Sequence, residues 1–279
     1  MTIKQALDAA ALALEASDSP RLDAEILLAH VLDVERSYLF TYPELELSDD
    51  SWQQFQRHVA RRAQSEPVAY LVGSKSFWDF ELTVNSHVLV PRPETELLVE
   101  TALELGERDQ ALRVVDLGTG SGAIALALAR ECPNWQVLAA DISLEALGLA
   151  RHNAEALALK NVAFVQGSWC DALGAETFDM VVSNPPYIAP GDTHLTEGDL
   201  PFEPTLALQA ADAGFAAFKS IANGARQHLR PGGWLLLEHG FEQQAKLKVL
   251  LLELGYASVS GYTDLAGCDR LVAAQWRRA

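Results

Sequence analysis

The 279-residue sequence is poor in cysteine and in positive charge. Its three cysteines, Cys132, Cys170 and Cys268, form no CxxC pair and no zinc-ligand spacing, so no metal site is expected. An odd number of scattered thiols suits a reducing, cytoplasmic compartment and not a disulfide framework. Lys and Arg total 21 against 38 Asp and Glu, a net charge of −17. Cationic surface supplies most of the affinity for a nucleic-acid backbone, so this balance argues against a direct nucleic-acid substrate. No apolar run reaches the roughly 18 residues of a membrane span. The opening MTIKQALDAAALALEASDSP lacks a basic stretch followed by an apolar one, so no export signal and no membrane partner are expected. Internal repeats and low-complexity segments are also missing.

What is present is a globular composition, 49% hydrophobic and 21% charged, in a length that suits about two domains. Residues 1–73 read as a small helical domain. Ser19 before Pro20 predicts a capped helix with Leu22, Ile26, Ala29 and Leu32 on one face. Ser48 predicts a second helix, with Asp49 and Asp50 at its positive end and Arg61 and Arg62 at its negative end. Trp52 and Phe55 read as core there, and Arg57, Arg61 and Arg62 as a solvated helix end. Residues 74–90 predict a hairpin linker from the extended run Phe77, Phe80, Leu82 and Val84, with Asn85-Ser86 as its turn. Pro91-Arg92-Pro93 is then extended before a helix from Glu94 to Leu105, ended by Gly106.

From residue 91 to the end a single α/β domain is expected. Strands at 112–117, 137–140, 162–166, 178–183 and 234–238 alternate with helices at 123–130 and 144–157. This pattern predicts a doubly wound, mostly parallel sheet. Segments 257–262 and 271–276, joined by a Gly/Asp-rich turn, predict an antiparallel C-terminal hairpin.

Gly118-Thr119-Gly120-Ser121-Gly122 lies where the first of these strands turns into a helix. Glycines there permit a tight turn and close approach of a ligand to free backbone N–H groups. Asp141 ends the next strand, where a carboxylate can bind ribose hydroxyls. Asp116, two residues before the loop, can accept hydrogen bonds or meet a cation. Gly118-x-Gly120-x-x-Ala123 also fits a loose dinucleotide fingerprint, so the loop alone leaves a nicotinamide cofactor open. DLGTGSG followed by ADIS resembles the cofactor-binding part of class I S-adenosylmethionine-dependent methyltransferases, a family whose seven-stranded sheet ends in an antiparallel hairpin.

Asn184-Pro185-Pro186-Tyr187 follows directly on the strand 178–183, at the carboxyl ends of the strands, where ligands lie in such sheets. Two prolines fix the backbone and leave carbonyls as acceptors. The Asn184 side-chain oxygen and a proline carbonyl can accept both hydrogens of a planar NH2 group. Tyr187 can pack on that group, its ring face easing a developing positive charge. A planar nitrogen is a poor nucleophile, whereas a methyl sulfonium is a strong electrophile, so orientation can supply much of the acceleration and no metal or activated base is required. The tetrapeptide resembles the [N/D]PP[Y/F] signature of methyltransferases acting on planar NH2 groups.

Pro91-Arg92-Pro93-Glu94-Thr95-Glu96, the glycine loop, NPPYI and Phe202-Glu203-Pro204, in this order behind a helical domain, resemble the release factor glutamine methyltransferases, the HemK/PrmC family, across essentially the whole chain. The resemblance implies methylation of the side-chain amide nitrogen (N5) of the glutamine in the Gly-Gly-Gln motif of bacterial class 1 peptide chain release factors. It implies S-adenosylmethionine held by Gly118, Thr119, Gly120, Ser121, Gly122, Asp141 and Asn184, with Trp169 at the adenine end and S-adenosylhomocysteine as product. Asn184, Pro185, Pro186 and Tyr187 would hold the glutamine, with Asn184, Pro185 and Tyr187 catalytic, and the helical domain would help hold the factor. The alternative is another planar NH2 acceptor, a ribosomal protein glutamine or a nucleic-acid adenine. A monomer is expected. His239, after the strand 234–238, is expected to be structural; Arg92 and Glu94 either lie at the pocket mouth or set a lid.

Overall fold

In the computed structural model, which describes residues 1–277, the chain divides into two compact units. One comprises Met1–Ser74 together with Thr196–Phe202, and the other Lys75–Leu195 with Glu203 onward. A boundary read near residue 73 gives no hint that the later segment groups with the first unit.

The first unit contains α1 (Ile3–Ala13), α2 (Pro20–Leu32), α3 (Arg36–Thr41), α4 (Asp49–Arg62) and α5 (Val68–Val72). Thr2 and Gln5 form a reciprocal capping box that starts α1. Ser48 caps α4 by accepting the Ser51 N–H at 3.1 Å. Ser19 does not cap α2: its hydroxyl donates to Asp23 at 2.9 Å, and Pro20 at the first helical position needs no N–H partner. The apolar faces meet in a core around Leu7, Leu14, Leu27, Leu28 and Phe55, with Trp52 packed on it. Arg62 departs from the solvated role expected of it. Its side chain is only 11% exposed and pairs with Asp23 at 2.7 Å and with Asp199. A guanidinium this far from water needs such partners.

The second unit begins with a two-stranded sheet, β1 (Ser74–Phe77) and β2 (Phe80–Thr83). The chain reverses at Trp78-Asp79 and not at Asn85-Ser86. Trp78 takes a left-handed conformation (φ 58°), and its N–H donates to the Glu96 carboxylate at 2.8 Å. Asn85 closes a separate turn, its side-chain oxygen accepting the His87 N–H at 3.0 Å. A single 3-10 turn, Pro93–Thr95, precedes α6 (Glu96–Leu105), so the regular helix starts two residues later than the sequence suggests.

Then follow β3 (Arg113–Leu117), α7 (Ala123–Glu131), β4 (Gln136–Asp141), α8 (Leu144–Ala156), β5 (Val162–Gln166), β6 (Phe178–Ser183), α9 (Thr205–Leu208), α10 (Ala216–His228), β7 (Leu229–Glu238), α11 (Gln244–Glu253), β8 (Tyr256–Thr263) and β9 (Asp269–Trp276). The seven-stranded sheet has the order β5-β4-β3-β6-β7-β9-β8. Its first five strands are parallel, and β9 runs antiparallel to both β7 and β8. Val114, Val115, Val181, Val182 and Leu235 to Leu237 are fully buried, as central strands covered on both faces must be. Pro231-Gly232-Gly233 sits inside β7 as an irregularity, between the pairs Phe178–Leu229 and Met180–Trp234. The strand order reverses at β3, with β4 on one side and β6 on the other. In such sheets the crevice for ligands opens at the carboxyl ends of the strands flanking that point.

Candidate active site

The glycine loop leaves β3 at that crevice. The N–H groups of Gly118 and Thr119 both donate to the Ala140 carbonyl, at 2.8 and 3.0 Å, which ties the loop to the end of β4. Gly118, Gly120 and Gly122 all have positive φ, a conformation that favours glycine. A Cβ at Gly118 would touch the Trp169 ring at 3.3 Å, whereas one at Gly120 would meet only open space. Gly122 instead starts α7 and packs against Leu126 and Ala150. Beneath the loop, buried Asp116 accepts the Thr119 hydroxyl at 2.6 Å. Burial pushes its acid up to about 7, and its other oxygen has no hydrogen-bond partner among the described residues. It therefore braces the loop by the hydrogen bond anticipated for it. Asn153 on α8 braces the loop too, donating to the Ser121 carbonyl at 2.9 Å while bonding Thr83 of β2 in both directions.

Asp141 ends β4 with both carboxylate oxygens engaged, accepting the Gly120 N–H and the Ser143 N–H, each at 2.9 Å. Carboxylate oxygens accept more than one hydrogen bond, so these contacts orient the group without exhausting it. Trp169 begins the short turn after β5 in a left-handed conformation (φ 46°).

The NPPY tetrapeptide leaves the neighbouring strand β6. Ser183 donates its hydroxyl to the Leu117 carbonyl at 2.6 Å, joining the ends of β6 and β3. Asn184 donates its Nδ2–H to the Thr95 hydroxyl oxygen at 3.1 Å. The Tyr187 carbonyl accepts the Gln243 side-chain N–H at 2.9 Å, and Ile188 bridges to the segment after α9.

A cavity of about 580 Å³ lies between these loops, within the range of small-molecule sites. Gly118, Thr119, Gly120, Ser121, Asp141, Trp169, Asn184 and Pro186 line it. Gly122, Pro185 and Tyr187 do not, although Pro185 sits between two residues that do. Tyr187 packs instead against the core on one face of the sheet, and burial pushes its phenol up to about 12. The ring anticipated to meet a flat substrate group therefore also has a seat on this core.

Arg92 lines the cavity and pairs with the buried carboxylate of Glu203, which also accepts the Val90 N–H at 3.1 Å. Glu94 is not among the lining residues. His239 is buried at the end of β7, its Nδ1 2.8 Å from the Gly240 carbonyl, and burial depresses its pKa; this matches a structural role. Thr95, which lines the cavity and accepts from Asn184, and the nearby buried Glu238 are not legible as site residues. Glu238 offers one usable signal, a carboxylate at a strand's carboxyl end like Asp141; Thr95 offers its place in the 91–96 motif and no chemistry of its own. Among the described residues no cluster of His, Cys, Asp and Glu is suited to a metal ion. Nor, among them, is any helix long and apolar enough to cross a membrane.

Residues 5–73 match the PrmC N-terminal domain family, and residues 93–198 match the methyltransferase small domain family. A release factor glutamine methyltransferase of Shewanella oneidensis is 49% identical over 260 residues, covering 93% of this chain and 91% of its own. Its counterpart in Escherichia coli is 44% identical over 264 residues, covering 94% and 95%. Among solved structures, a methyltransferase from Pyrococcus furiosus is similar in fold, with a TM-score of 0.54 at 19% identity, covering 80% of this chain and all of the other.

Proposed function

This chain belongs to the release factor glutamine methyltransferase family, and from that membership we infer that it methylates the side-chain amide nitrogen (N5) of the glutamine in the Gly-Gly-Gln motif of a peptide chain release factor, using S-adenosylmethionine. The observation that carries the reading at atomic level is the shared cavity: the glycine loop and Asn184 leave neighbouring strands and line one space.

The residues fit the cofactor. Open space at Gly120 admits a ligand close to the backbone, and the fixed Asp141 carboxylate faces the same cavity. Gly118 to Ser121 would hold the chain of the cofactor, Asp141 its ribose hydroxyls and Trp169 its adenine end. When bound, S-adenosylmethionine supplies a methyl carbon on a sulfonium, an electrophile that needs no further activation. The protein's task is then to orient the acceptor. Asn184 Oδ1 and the Pro185 carbonyl accept the two N–H groups of the glutamine amide, so one face of its nitrogen meets the methyl carbon. The acceptor nitrogen, once methylated, would give up its surplus proton to water. Orientation of this kind is worth up to roughly 7–11 kcal/mol. Tyr187 serves by fixing the loop: its ring is seated on the core and its carbonyl is tied to Gln243.

The helical unit formed by residues 1–73 would help hold the release factor, and the protein would act as a monomer. A cytoplasmic location suits the activity, since Cys132, Cys170 and Cys268 are free thiols, the state a reducing compartment maintains.

Incubation with labelled S-adenosylmethionine and separate pools of release factor, ribosomes and DNA tests the assignment. Mass spectrometry should find one added methyl on the release factor, localised to its glutamine. Label found only in nucleic acid would contradict it. Asp141→Ala should weaken cofactor binding by about 1–3 kcal/mol, through loss of charge-assisted ribose hydrogen bonds and of the anchor for Gly120. Calorimetric titration measures this; an unchanged affinity would remove Asp141 from the cofactor site.

A further inference from the structure

We propose that Thr95 and Glu238 are positioning residues that lock the Asn184 side chain with its oxygen, and not its NH2, toward the acceptor amide. The inference rests on the glutamine-methylating reading above.

The two ends of an asparagine amide have nearly the same shape, so a cavity alone does not decide which faces the substrate. The choice matters here because only the oxygen can accept a hydrogen bond from an NH2 group. Asn184 follows β6, Thr95 ends the 3-10 turn before α6, and Glu238 ends β7, so three separate elements converge at one wall of the cavity, which Asn184 and Thr95 both line. The Asn184 Nδ2 donates to Thr95 Oγ1 at 3.1 Å. That hydroxyl, having accepted, has its own hydrogen left to give. The buried Glu238 carboxylate lies near enough to Thr95 and Asn184 for both to lower its pKa, which makes it the acceptor at hand. Thr95 is 4% exposed and Glu238 2%, so water does not compete for these bonds. One hydrogen of the Asn184 NH2 is held by Thr95, and an ionised Glu238 would take the other, leaving Oδ1 for the substrate amide. Glu238 Oε2 has no hydrogen-bond partner among the described residues, so acceptor capacity is in surplus, which further disfavours an inward Oδ1.

Only an ionised Glu238 enforces this. Burial pushes its acid up to about 7, with Glu94 raising it and Arg270 of β9 opposing. The Tyr187 phenol also faces it, and the adjacent His239 has a depressed pKa. Once protonated, Glu238 can donate to an inward-turned Asn184 oxygen, which permits the unproductive orientation. Activity should therefore fall as pH drops through about 7.

The test compares wild type with Thr95→Val, Thr95→Ser and Glu238→Gln, using release factor as acceptor. Thr95→Val and Glu238→Gln should lower kcat at least about ten-fold, with cofactor Kd within about two-fold of wild type. Thr95→Ser, which keeps the hydroxyl, should stay within about three-fold of wild-type kcat. The acid limb of the wild-type kcat profile should flatten in Glu238→Gln. If Glu238→Gln fails to fold, the valine–serine pair and the wild-type pH profile decide. A Thr95→Val enzyme with wild-type kcat, a parallel loss of kcat and cofactor affinity, or a wild-type kcat flat across pH 6 to 8 would overturn the inference. In each of these cases the wild type still methylates the release factor, so the functional reading stands; a wild type inactive on the factor would overturn both.

Discussion

Replacing Asn184 with alanine should abolish methyl transfer while leaving S-adenosylmethionine binding within a few-fold of wild type. The substitution removes one of two acceptors for the substrate amide and leaves the glycine loop and Asp141, on β3 and β4, untouched. Misorientation alone costs about 100-fold in rate, and loss of an acceptor from a desolvated site adds to it, so a fall in kcat of about 100- to 10,000-fold is expected. Single-turnover assays give the rate and calorimetric titration the affinity. A binding module that holds the cofactor without turnover would show no rate to lose, and an enzyme using another group would keep its rate. Either result would remove Asn184 from the chemistry.

Gly214→Ala should damage both stability and catalysis from outside the cavity. Gly214 has a φ of +84°, and a Cβ there would lie 2.2 Å from the Tyr187 carbonyl oxygen and 2.9 Å from Gln243 Nε2. Those two atoms make the hydrogen bond that anchors the end of the NPPY segment. Overpacking and left-handed strain each cost roughly 1–3 kcal/mol. The loop cannot absorb the added methyl without moving the carbonyl, which is rigid backbone. Since a shift of about 1 Å in a positioned group lowers rate about 100-fold, kcat should fall by a similar factor while cofactor affinity changes little. Thermal melting and kinetics check this together. A variant with wild-type melting temperature and kcat would show that the Tyr187 carbonyl is not where the loop is held.

The catalytic unit is legible because its signals are periodic and local. The strands at 112–117 and 178–183, together with the glycines at 118, 120 and 122, announce a parallel sheet turning into helices, and β3, β6 and the positive φ values agree. What was not legible depends on contacts distant in sequence. Arg62 looks like a solvated helix end until Asp199, far along the chain, folds back onto it. Tyr187 has the right identity to face a substrate, but the core beside β7 and α11 offers its ring a buried seat. The hairpin reverses at Trp78-Asp79, which carries no turn-forming glycine, because Glu96 receives the Trp78 N–H. Thr95 and Glu238 matter through the asparagine they meet, which a carboxylate at a strand's end does not by itself reveal.

The most direct measurement is a crystal structure with S-adenosylhomocysteine and a Gly-Gly-Gln peptide bound. The glutamine nitrogen should lie about 3 Å from both Asn184 Oδ1 and the Pro185 carbonyl oxygen, with its free face toward the ligand's sulfur. A tetrapeptide directed away from that sulfur, or an asparagine offering its NH2 to the glutamine, would contradict the account.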